Sequence, residues 1–420
     1  MEHPYKMADL PTIVACALSP LILQRRAVLG GSLLGEMKRR HWSHPSCGLL
    51  LLVAVFCLLL VFRCSQLRHS GDGAAAAAPD GGAGRNDGDD VDERLVELAA
   101  VDPAAMAVLQ AAKRLLEGNL ARAPERHRDV ALRGLREWVG KQERFDPGVM
   151  SELVELIKRP IDRYNGDGGG GGEGEGRRYA SCAVVGNSGI LLAAEHGELI
   201  DGHELVVRLN NAPAGDGRYA RHVGARTGLA FLNSNVLSQC AVPRRGACFC
   251  RAYGEGVPIL TYMCNAAHFV EHAVCNNASS SSSGAADATA AAPVIVTDPR
   301  LDALCARIVK YYSLRRFARE TGRPAEEWAG RSEEGMFHYS SGMQAVVAAA
   351  GVCDRVSVFG FGKDASARHH YHTLQRRELD LHDYEAEYEF YRDLESRPEA
   401  IPFLRQRDSG FRLPPVSFYR

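Results

Sequence analysis

The sequence predicts an α/β fold in which a mainly parallel β-sheet is flanked by helices. From residue 179 to the end, short β-branched runs alternate with segments of helical composition, a pattern typical of parallel sheets. Before residue 179, an uncharged apolar run and glycine-rich stretches indicate a membrane anchor and a stem. We therefore expect a single folded domain, residues 179–420.

The composition limits the partners that this chain can have. Its 420 residues include 50 Lys+Arg and 51 Asp+Glu, so the formal net charge is −1. Without an overall positive charge the chain has no global attraction to nucleic acid, and we expect no nucleic-acid partner. The 46% of hydrophobic residues allows a core of ordinary size.

The uncharged run lies at Gly48–Phe62 and lengthens to residue 64 if Arg63 reaches the membrane surface. Its length suits a short membrane span of the early secretory pathway. Basic residues at 38–41 predict that the preceding segment, 1–47, stays in the cytosol. We predict a signal anchor at 48–64, with a buried core helix and a cleaved signal peptide as the alternatives.

Two further expectations concern the segments on either side of this anchor. Met37 would make a natural cytosolic start, so residues 1–36 form, as a hypothesis, an upstream extension. Residues 65–178 read as a luminal stem that is partly disordered and partly helical, because the glycine-rich Asn165–Gly176 cannot bury enough surface to fold. Apolar residues spaced by three and four predict helices from Asp92 to about Arg163. The alternative is that these helices pack on the folded domain as a cap.

Within the predicted domain, several strands and a helix can be placed in order. The β-branched runs are Cys182–Val185, Glu204–Leu209, Val294–Val296 and Arg355–Phe359, and Met343–Gly351 has helical composition. Residues 276–292 have no periodicity and predict an exposed low-complexity insert. Within it, Asn277-Ala278-Ser279 is an N-glycosylation sequon.

Cysteines are frequent after residue 180. Eight of the 12 lie between Cys182 and Cys353, and an even number agrees with disulfides in an oxidising compartment. A zinc site is the alternative for Cys248-Phe249-Cys250, but a one-residue gap is poor spacing for metal ligands. The pairing of the six cysteines between these two ends is left open, since six cysteines allow about 15 arrangements.

Four segments carry candidate binding groups. The first strand runs into Gly186-Asn187-Ser188-Gly189, a turn of the kind in which backbone N–H groups meet a phosphate. The second strand ends at Asn210, whose side chain could reach a ribose or a phosphate. At Ser340-Ser341-Gly342, hydroxyls precede a helix and can cap it or face an anion. The last strand ends at Gly360, where backbone can approach a ligand.

Imidazoles follow that last strand closely. They lie at His369, His370, His372 and His382, with Glu387 five residues after the last of them. Metal chelation is possible in principle, but adjacent histidines without a spaced partner more often do other work. Since residues 179–420 contain no Asp-x-Asp, we predict that no metal or other cofactor is required.

Taken in order, these segments resemble the motifs of the sialyltransferases, glycosyltransferase family 29, and especially of its plant members. The long sialylmotif is seen from Cys182 to about Asn235, the short one from His338 to Gly362, the third at His370-Tyr371 and the very short one at His382 and Glu387. The resemblance covers residues 179–390. It implies a variant of the GT-A-like fold of nucleotide-sugar transferases, in a type II Golgi membrane protein with a luminal catalytic domain.

The resemblance also implies residue roles. His382 would be the catalytic base and His370 would help the phosphate leave, with an unperturbed imidazole pKa of about 6.5 close to the luminal pH. The donor, a CMP-activated acidic sugar, would contact the residues of the four motifs. These are Asn187, Ser188, Gly189, Asn210, Ser340, Ser341, Gly342, Gly360, Tyr371 and Glu387. Cys182 would pair with Cys353.

The implied reaction transfers sialic acid or a Kdo-like sugar, with inversion, to a hydroxyl of a galactosyl glycan or pectin. The alternative is a catalytically weak or inactive Golgi scaffold that keeps the old pocket. Three positions depart from the family pattern: His222 replaces an Asp, Gly228 replaces a Thr, and Tyr371-His372-Thr373 replaces an aromatic residue followed by an acid in the third motif.

Overall fold

A seven-stranded β-sheet lies at the centre of the computed structural model, which describes residues 87–100, 103–142, 145–166, 176–215, 217–281, 292–329, 338–375, 378 and 381–420. The predicted cytosolic segment, the anchor at 48–64 and the start of the stem lie outside these residues. Within the described ranges, none of the helices combines the length and the apolar character needed to cross a membrane.

The sheet is parallel throughout, which confirms the predicted α/β class. The strands are β1 (Cys182–Val185), β2 (Leu205–Leu209), β3 (Leu229–Asn233), β4 (Ala241–Val242), β5 (Ala247–Cys248), β6 (Ile259–Tyr262), β7 (Val294–Val296), β8 (Val356–Phe359) and β9 (Val416–Tyr419). Strands β4 and β5 form a separate antiparallel hairpin, and the others follow the order β7-β6-β3-β2-β1-β8-β9. The strand order therefore reverses between β1 and β8.

Helices cover both faces of this sheet. They are α1 (Asp87–Ala99), α2 (Pro103–Glu117), α3 (Glu125–Lys141), α4 (Val149–Leu153), α5 (Arg159–Asn165), α6 (Gly197–Asp201), α7 (Ala220–Val223), α8 (Ser234–Cys240), α9 (Phe269–Ser281), α10 (Pro299–Thr321), α11 (Glu326–Ala329), α12 (Ser341–Val352), α13 (Tyr384–Ser396) and α14 (Gln406–Ser409). A π-helical segment, Val154–Lys158, joins α4 to α5, and 3₁₀ turns lie at Gly189–Ala193, Ala266–His268 and Pro398–Ala400.

The core follows from the residue types of these elements. All four residues of β1 are buried, as expected for a strand covered on both faces. Val184 packs in the cluster that contains α10, α12 and α13, whereas Ala183 and Val185 face the opposite cluster, near α6 and α7. The central helix α12 is almost wholly apolar and is buried nearly along its full length.

The helices before residue 179 belong to the folded domain, which corrects the predicted boundary between stem and domain. Val149, Met150, Leu153 and Ile157 are at most 3% exposed and pack in the main core. The described residues from 90 onward belong to one compact unit. Burial of the apolar stripe of these helices against the sheet makes the cap, considered above as the alternative, the observed arrangement.

The predicted insert also starts later than expected. Residues 276–281 continue helix α9, and the Asn276 side chain bonds the backbone of Val294 through both its amide groups, at 3.1 and 3.2 Å. Residues 282–291 and the side chain of Asn277 lie outside the described part of the chain, so glycosylation of Asn277 stays a prediction.

Three disulfides join parts of the fold. Cys182 on β1 is bonded to Cys353 after α12, the pair that the family resemblance implied, with a Cα–Cα distance of 6.0 Å and a sequence separation of 171. In the chain-entropy model, closing so long a loop contributes about 5 kcal/mol. The other bonds are Cys240–Cys250 and Cys248–Cys275, and Cys264 and Cys305 stay as buried thiols.

Candidate active site

The candidate site lies where the strand order of the sheet reverses. Strands β1 and β8 are neighbours there, and in open α/β sheets ligands bind outside the carboxyl ends of the strands at such a point. Asn187 follows β1 directly, and its side-chain Oδ1 is buried with no hydrogen-bond partner among the described residues. A buried acceptor of this kind is costly to leave unsatisfied, so the position fits a ligand that donates a hydrogen bond.

A chain of polar side chains crosses the neighbouring strand ends. The Oδ1 atom of Asn210, which has a left-handed φ of 52°, accepts from the backbone N–H of Asn233 at 3.3 Å. The Nδ2 of Asn233 lies 3.5 Å from the Oγ of Ser341, and the hydroxyl of Tyr262 lies 3.3 Å from the same oxygen. The ends of β2, β3 and β6 are thereby linked to the amino terminus of α12.

The amino terminus of α12 supplies an electropositive helix end. The hydroxyl of Ser340 caps the helix by accepting from Met343 N at 3.1 Å, and it donates to Glu387 at 2.6 Å. The amides of Ser341 and Gly342 belong to the first turn of the helix, where N–H groups have no partner in the helical ladder. These amides can therefore bind an anion such as a phosphate.

Glu387 supports this helix end and does not face a donor, in contrast to the prediction. Its carboxyl accepts from Ser340 N at 2.7 Å and from the Tyr391 hydroxyl at 3.2 Å, and the side chain is completely buried. Burial raises the pKa of Glu387 to about 7, against the lowering effect of these hydrogen bonds.

His382 has the geometry of a base. Its Nδ1–H donates to the backbone carbonyl of His338 at 2.7 Å. Because a carbonyl oxygen only accepts, the proton is on Nδ1 and the basic nitrogen is Nε2. Burial lowers the pKa of His382 to about 4, which corrects the expectation of an unperturbed imidazole. The ring is therefore neutral at the pH of most cellular compartments.

Rings connect His382 to the other histidines of the site. Tyr384 lies between His382 and His369, with ring centroids 5.4 and 5.5 Å away. His369 in turn contacts His370, at 4.4 Å between centroids. Burial and the two neighbouring imidazoles, His369 and His372, lower the pKa of His370 to about 3. His370 is thus a neutral imidazole, with one ring N–H that can donate a hydrogen bond.

These histidines do not converge as metal ligands. In the described part of the chain, ligand atoms of three His, Cys, Asp or Glu residues lie within 4.8 Å of one another only at Cys248, Cys250 and Cys275. Disulfides already occupy these three sulfur atoms. Independence of the reaction from metal stays a prediction.

The predicted glycines have roles within the protein itself. A Cβ at Gly189 would lie 2.7 Å from the Arg368 carbonyl oxygen, and one at Gly342 would lie 2.8 Å from the Phe361 ring. Gly360 has a φ of 76°, and a Cβ there would meet the Leu191 side chain at 2.6 Å. Close approach of backbone and side chains is therefore enough to explain why these positions are glycines.

Two other predicted donor contacts are also used internally. The Ser188 hydroxyl caps the following 3₁₀ turn and donates to the Gly362 carbonyl at 3.3 Å. Tyr371 is buried, its N–H donates to the Asn187 carbonyl at 2.8 Å, and its hydroxyl donates to the Pro213 carbonyl. These two residues hold the loops of the site. The substrate contacts predicted for Asn187, Asn210, Ser341, Gly342, His370 and His382 stay predictions.

Comparison with known proteins agrees with this arrangement of motifs. The family model of glycosyltransferase family 29 (sialyltransferase) matches residues 135–398, more than half of the chain. The chain belongs to glycosyltransferase family 29. The matched region begins within α3, in agreement with the position of the amino-terminal helices in the folded domain.

Relatives in this family include two plant proteins. Sialyltransferase-like protein 3 of Oryza sativa subsp. japonica is 99% identical over 384 residues, which are 91% of this chain and 100% of that protein. Beta-1,6-galactosyltransferase GALT29A of Arabidopsis thaliana is 41% identical over 88% of this chain and 97% of its own length. A crystal structure of a mammalian sialyltransferase is 20% identical and covers 67% of this chain and 83% of its own, with a TM-score of 0.35.

The structure also accounts for two departures from the family pattern. His222 is buried and its Nδ1 lies 2.7 Å from the Ala194 carbonyl oxygen, while a Cβ at Gly228 would lie 2.9 Å from Leu205. Both positions are thus set by local packing. The third departure, His372, lies within the site, because its ring stacks on that of His370 with 5.6 Å between the ring centroids and 7° between the ring planes.

Three residues of the site escaped the sequence analysis. Asn233 joins the site because β3 ends beside β2, and Tyr262 because β6 ends beside β3. Tyr384 joins it through the contact of its ring with that of His382. Asn233 lies within the long motif, so its position in that motif could have indicated a role in the site. No local pattern marks Tyr262, since its role depends on which strand lies next to β3.

Proposed function

We propose that this member of glycosyltransferase family 29 transfers an acidic sugar from a CMP-activated donor to a glycan hydroxyl, with inversion. The observation that carries the proposal is the environment of His382. Its Nδ1 is held by the His338 carbonyl, its Nε2 is the basic nitrogen, and a neutral imidazole is the protonation state that a base requires. Ring contacts from His382 to Tyr384, from Tyr384 to His369 and from His369 to His370 connect the two histidines.

In the proposed reaction, Nε2 of His382 accepts the proton of the acceptor hydroxyl as its oxygen bonds to the anomeric carbon of the donor. The bond from that carbon to the phosphate oxygen breaks, and CMP leaves with the electron pair. The amides of Ser341 and Gly342 and the N–H of His370 would stabilise the charge that develops on the phosphate. This donor set supports a reaction without a metal cofactor.

The identity of the donor sugar has two candidate classes. Sialic acid and a Kdo-like sugar are both carried by CMP, and the family resemblance favours them. A second candidate is galactose, because a relative that is 41% identical over 97% of its length bears the name of a beta-1,6-galactosyltransferase. The acceptor would be a galactosyl glycan or pectin.

A panel of donors tests the proposal. The 65–420 fragment is incubated with CMP-sialic acid, CMP-Kdo or UDP-galactose, with galactosyl glycans and pectin oligosaccharides as acceptors and with EDTA in parallel. Transfer from a CMP sugar that EDTA leaves unchanged is expected. Transfer from UDP-galactose alone would show that the donor is a UDP sugar and not a CMP sugar. A folded fragment that binds CMP without any turnover would indicate the inactive scaffold instead.

We also propose that residues 48–64 anchor the protein in the Golgi membrane, with the domain in the lumen. The three disulfides support an oxidising compartment. In isolated Golgi vesicles, a tag at the carboxyl terminus should resist added protease until detergent is present. Digestion without detergent would contradict this orientation.

A further inference from the structure

Arg316 on helix α10 reaches the residue that follows the proposed base. Its guanidinium Nη2 donates to Oδ2 of Asp383 at 3.0 Å, while its Nη1 donates to Glu320 at 2.6 Å. The Asp383 side chain is only 14% exposed. An ion pair with this little solvent access is screened less than a surface pair, and its loss leaves a carboxylate in a poorly hydrated place.

Asp383 has a second task besides the ion pair. Its Oδ1 accepts from Ala386 N at 3.2 Å and so caps helix α13. One carboxylate oxygen therefore serves the helix cap and the other serves Arg316. The peptide unit between His382 and Asp383 is held on one side by these contacts and on the other by the hydrogen bond from His382 to the His338 carbonyl.

A comparable ion pair joins the same two helices, α10 and α13, without reaching His382. Arg319, one turn further along α10, bonds Glu389 on α13 and is 55% exposed. Arg315 bonds both Glu389 and Asp393 on α13. Attachment of α13 to α10 is thus shared by several pairs, whereas the contact to Asp383 is made by Arg316.

We propose that Arg316 is a positioning residue for the transfer reaction, which fixes the His382 imidazole by holding Asp383. The inference rests on the proposed role of His382 as base. Without Arg316, the Asp383 carboxylate lowers its free energy by turning toward water. This movement loosens the helix cap and the adjoining peptide unit. A base that is displaced by about 1 Å can lose on the order of 100-fold in rate.

Steady-state kinetics of the 65–420 protein provide the first test. In Arg316→Ala we expect kcat to fall roughly 10- to 100-fold, with the KM for the donor and the affinity for CMP unchanged. Arg316→Lys should recover part of this loss because it keeps the charge. Asp383→Asn, which keeps a capping oxygen but not the ion pair, should resemble Arg316→Ala. Arg319→Ala is the control and should leave kcat unchanged.

A second readout does not depend on turnover. NMR titration of the labelled His382 ring reports its environment directly, and the charged or titratable neighbours are Asp383, His338, His369 and Tyr384. In Arg316→Ala, an unpaired Asp383 carboxylate and greater solvent access should both raise the pKa of His382 from about 4 toward about 6.5. Arg319→Ala should not shift it.

The two readouts separate the inference from the proposed function. If the wild-type protein transfers no sugar, the proposed function fails, and the NMR titration still tests the contact. The inference is overturned if Arg316→Ala leaves both kcat and the His382 titration as in the wild type. It is equally overturned if Arg319→Ala changes them as much, since the effect would then be general loosening of α13.

Discussion

At the scale of single residues, the protonation state of His382 decides when the protein can react. Burial lowers the pKa of its imidazole to about 4, so the ring is neutral at any pH well above that value. We expect kcat/KM for the acceptor to stay level between about pH 5.5 and 7.5 and to fall only in more acidic buffer. A rate profile with an acidic midpoint near about 6.5 would show that the imidazole is not buried in this way.

Glu387 links the stability of the domain to pH in the opposite sense from an ordinary carboxylate. Burial raises its pKa to about 7, above the ordinary glutamate value of 4.5. Between these values the folded state binds more protons than the unfolded state, so stability is lost as the pH rises toward 7. In Glu387→Gln this loss should shrink by on the order of 3 kcal/mol.

Urea unfolding at pH 5 and pH 7.5 measures this difference. Asp302, whose pKa is also raised to about 7 by burial, contributes the same trend in both proteins and cancels in the comparison. Equal pH dependence of the free energy of unfolding in the wild type and in Glu387→Gln would contradict the prediction.

At the scale of elements, the end of β8 depends on a glycine. Gly360 has a φ of 76°, and a Cβ there would meet Leu191 of the 3₁₀ turn. Gly322, after α10, has a similar φ of 65° but open space around it. Gly360→Ala should therefore destabilise the protein by about 1–3 kcal/mol more than Gly322→Ala, as measured by urea unfolding. Equal losses would mean that only the backbone conformation matters.

The predictability of the elements followed their residue types. Strands β1, β2, β7 and β8 were found from β-branched runs, and α12 from its Ala- and Val-rich composition. Strand β3 was not placed individually, because its Leu and Ala residues suit helices as well as strands. Strand β6, with Ile259, Thr261 and Tyr262, has the residue types of a strand but is only four residues long. The spacing of apolar residues predicted helices before residue 179 but could not indicate what they pack against, since that contact is long-range.

In the candidate site, too, some residues could be predicted from the sequence and others could not. Asn187, Asn210, Ser341, His370 and His382 were predicted from motifs. The roles of the neighbouring residues could be assigned only from the structure. A local sequence pattern does not show whether a hydroxyl caps a helix or binds a ligand, or whether a glycine avoids a clash or lets a ligand approach. For that reason the part that Ser340 and Glu387 play in supporting the amino terminus of α12 could be assigned only from the structure.

At the scale of the whole molecule, the amino-terminal helices are part of the core. Val149, Met150 and Leu153 are fully buried against the sheet domain. A fragment that begins at residue 179 lacks these helices, so it would expose the apolar surface that they cover and should fail to fold. A fragment that begins at residue 90 should fold. Circular dichroism during thermal unfolding distinguishes them. A cooperative transition of the 179–420 fragment would contradict the assignment of these helices to the domain.

The central claim is that this family 29 member is a transferase with His382 as its base. The most direct test compares sugar transfer and CMP binding by the 65–420 protein and its His382→Ala variant. We expect turnover by the wild type, a loss of turnover in the variant by roughly 100-fold or more, and retained CMP affinity. Unchanged turnover in a folded His382→Ala protein would contradict it.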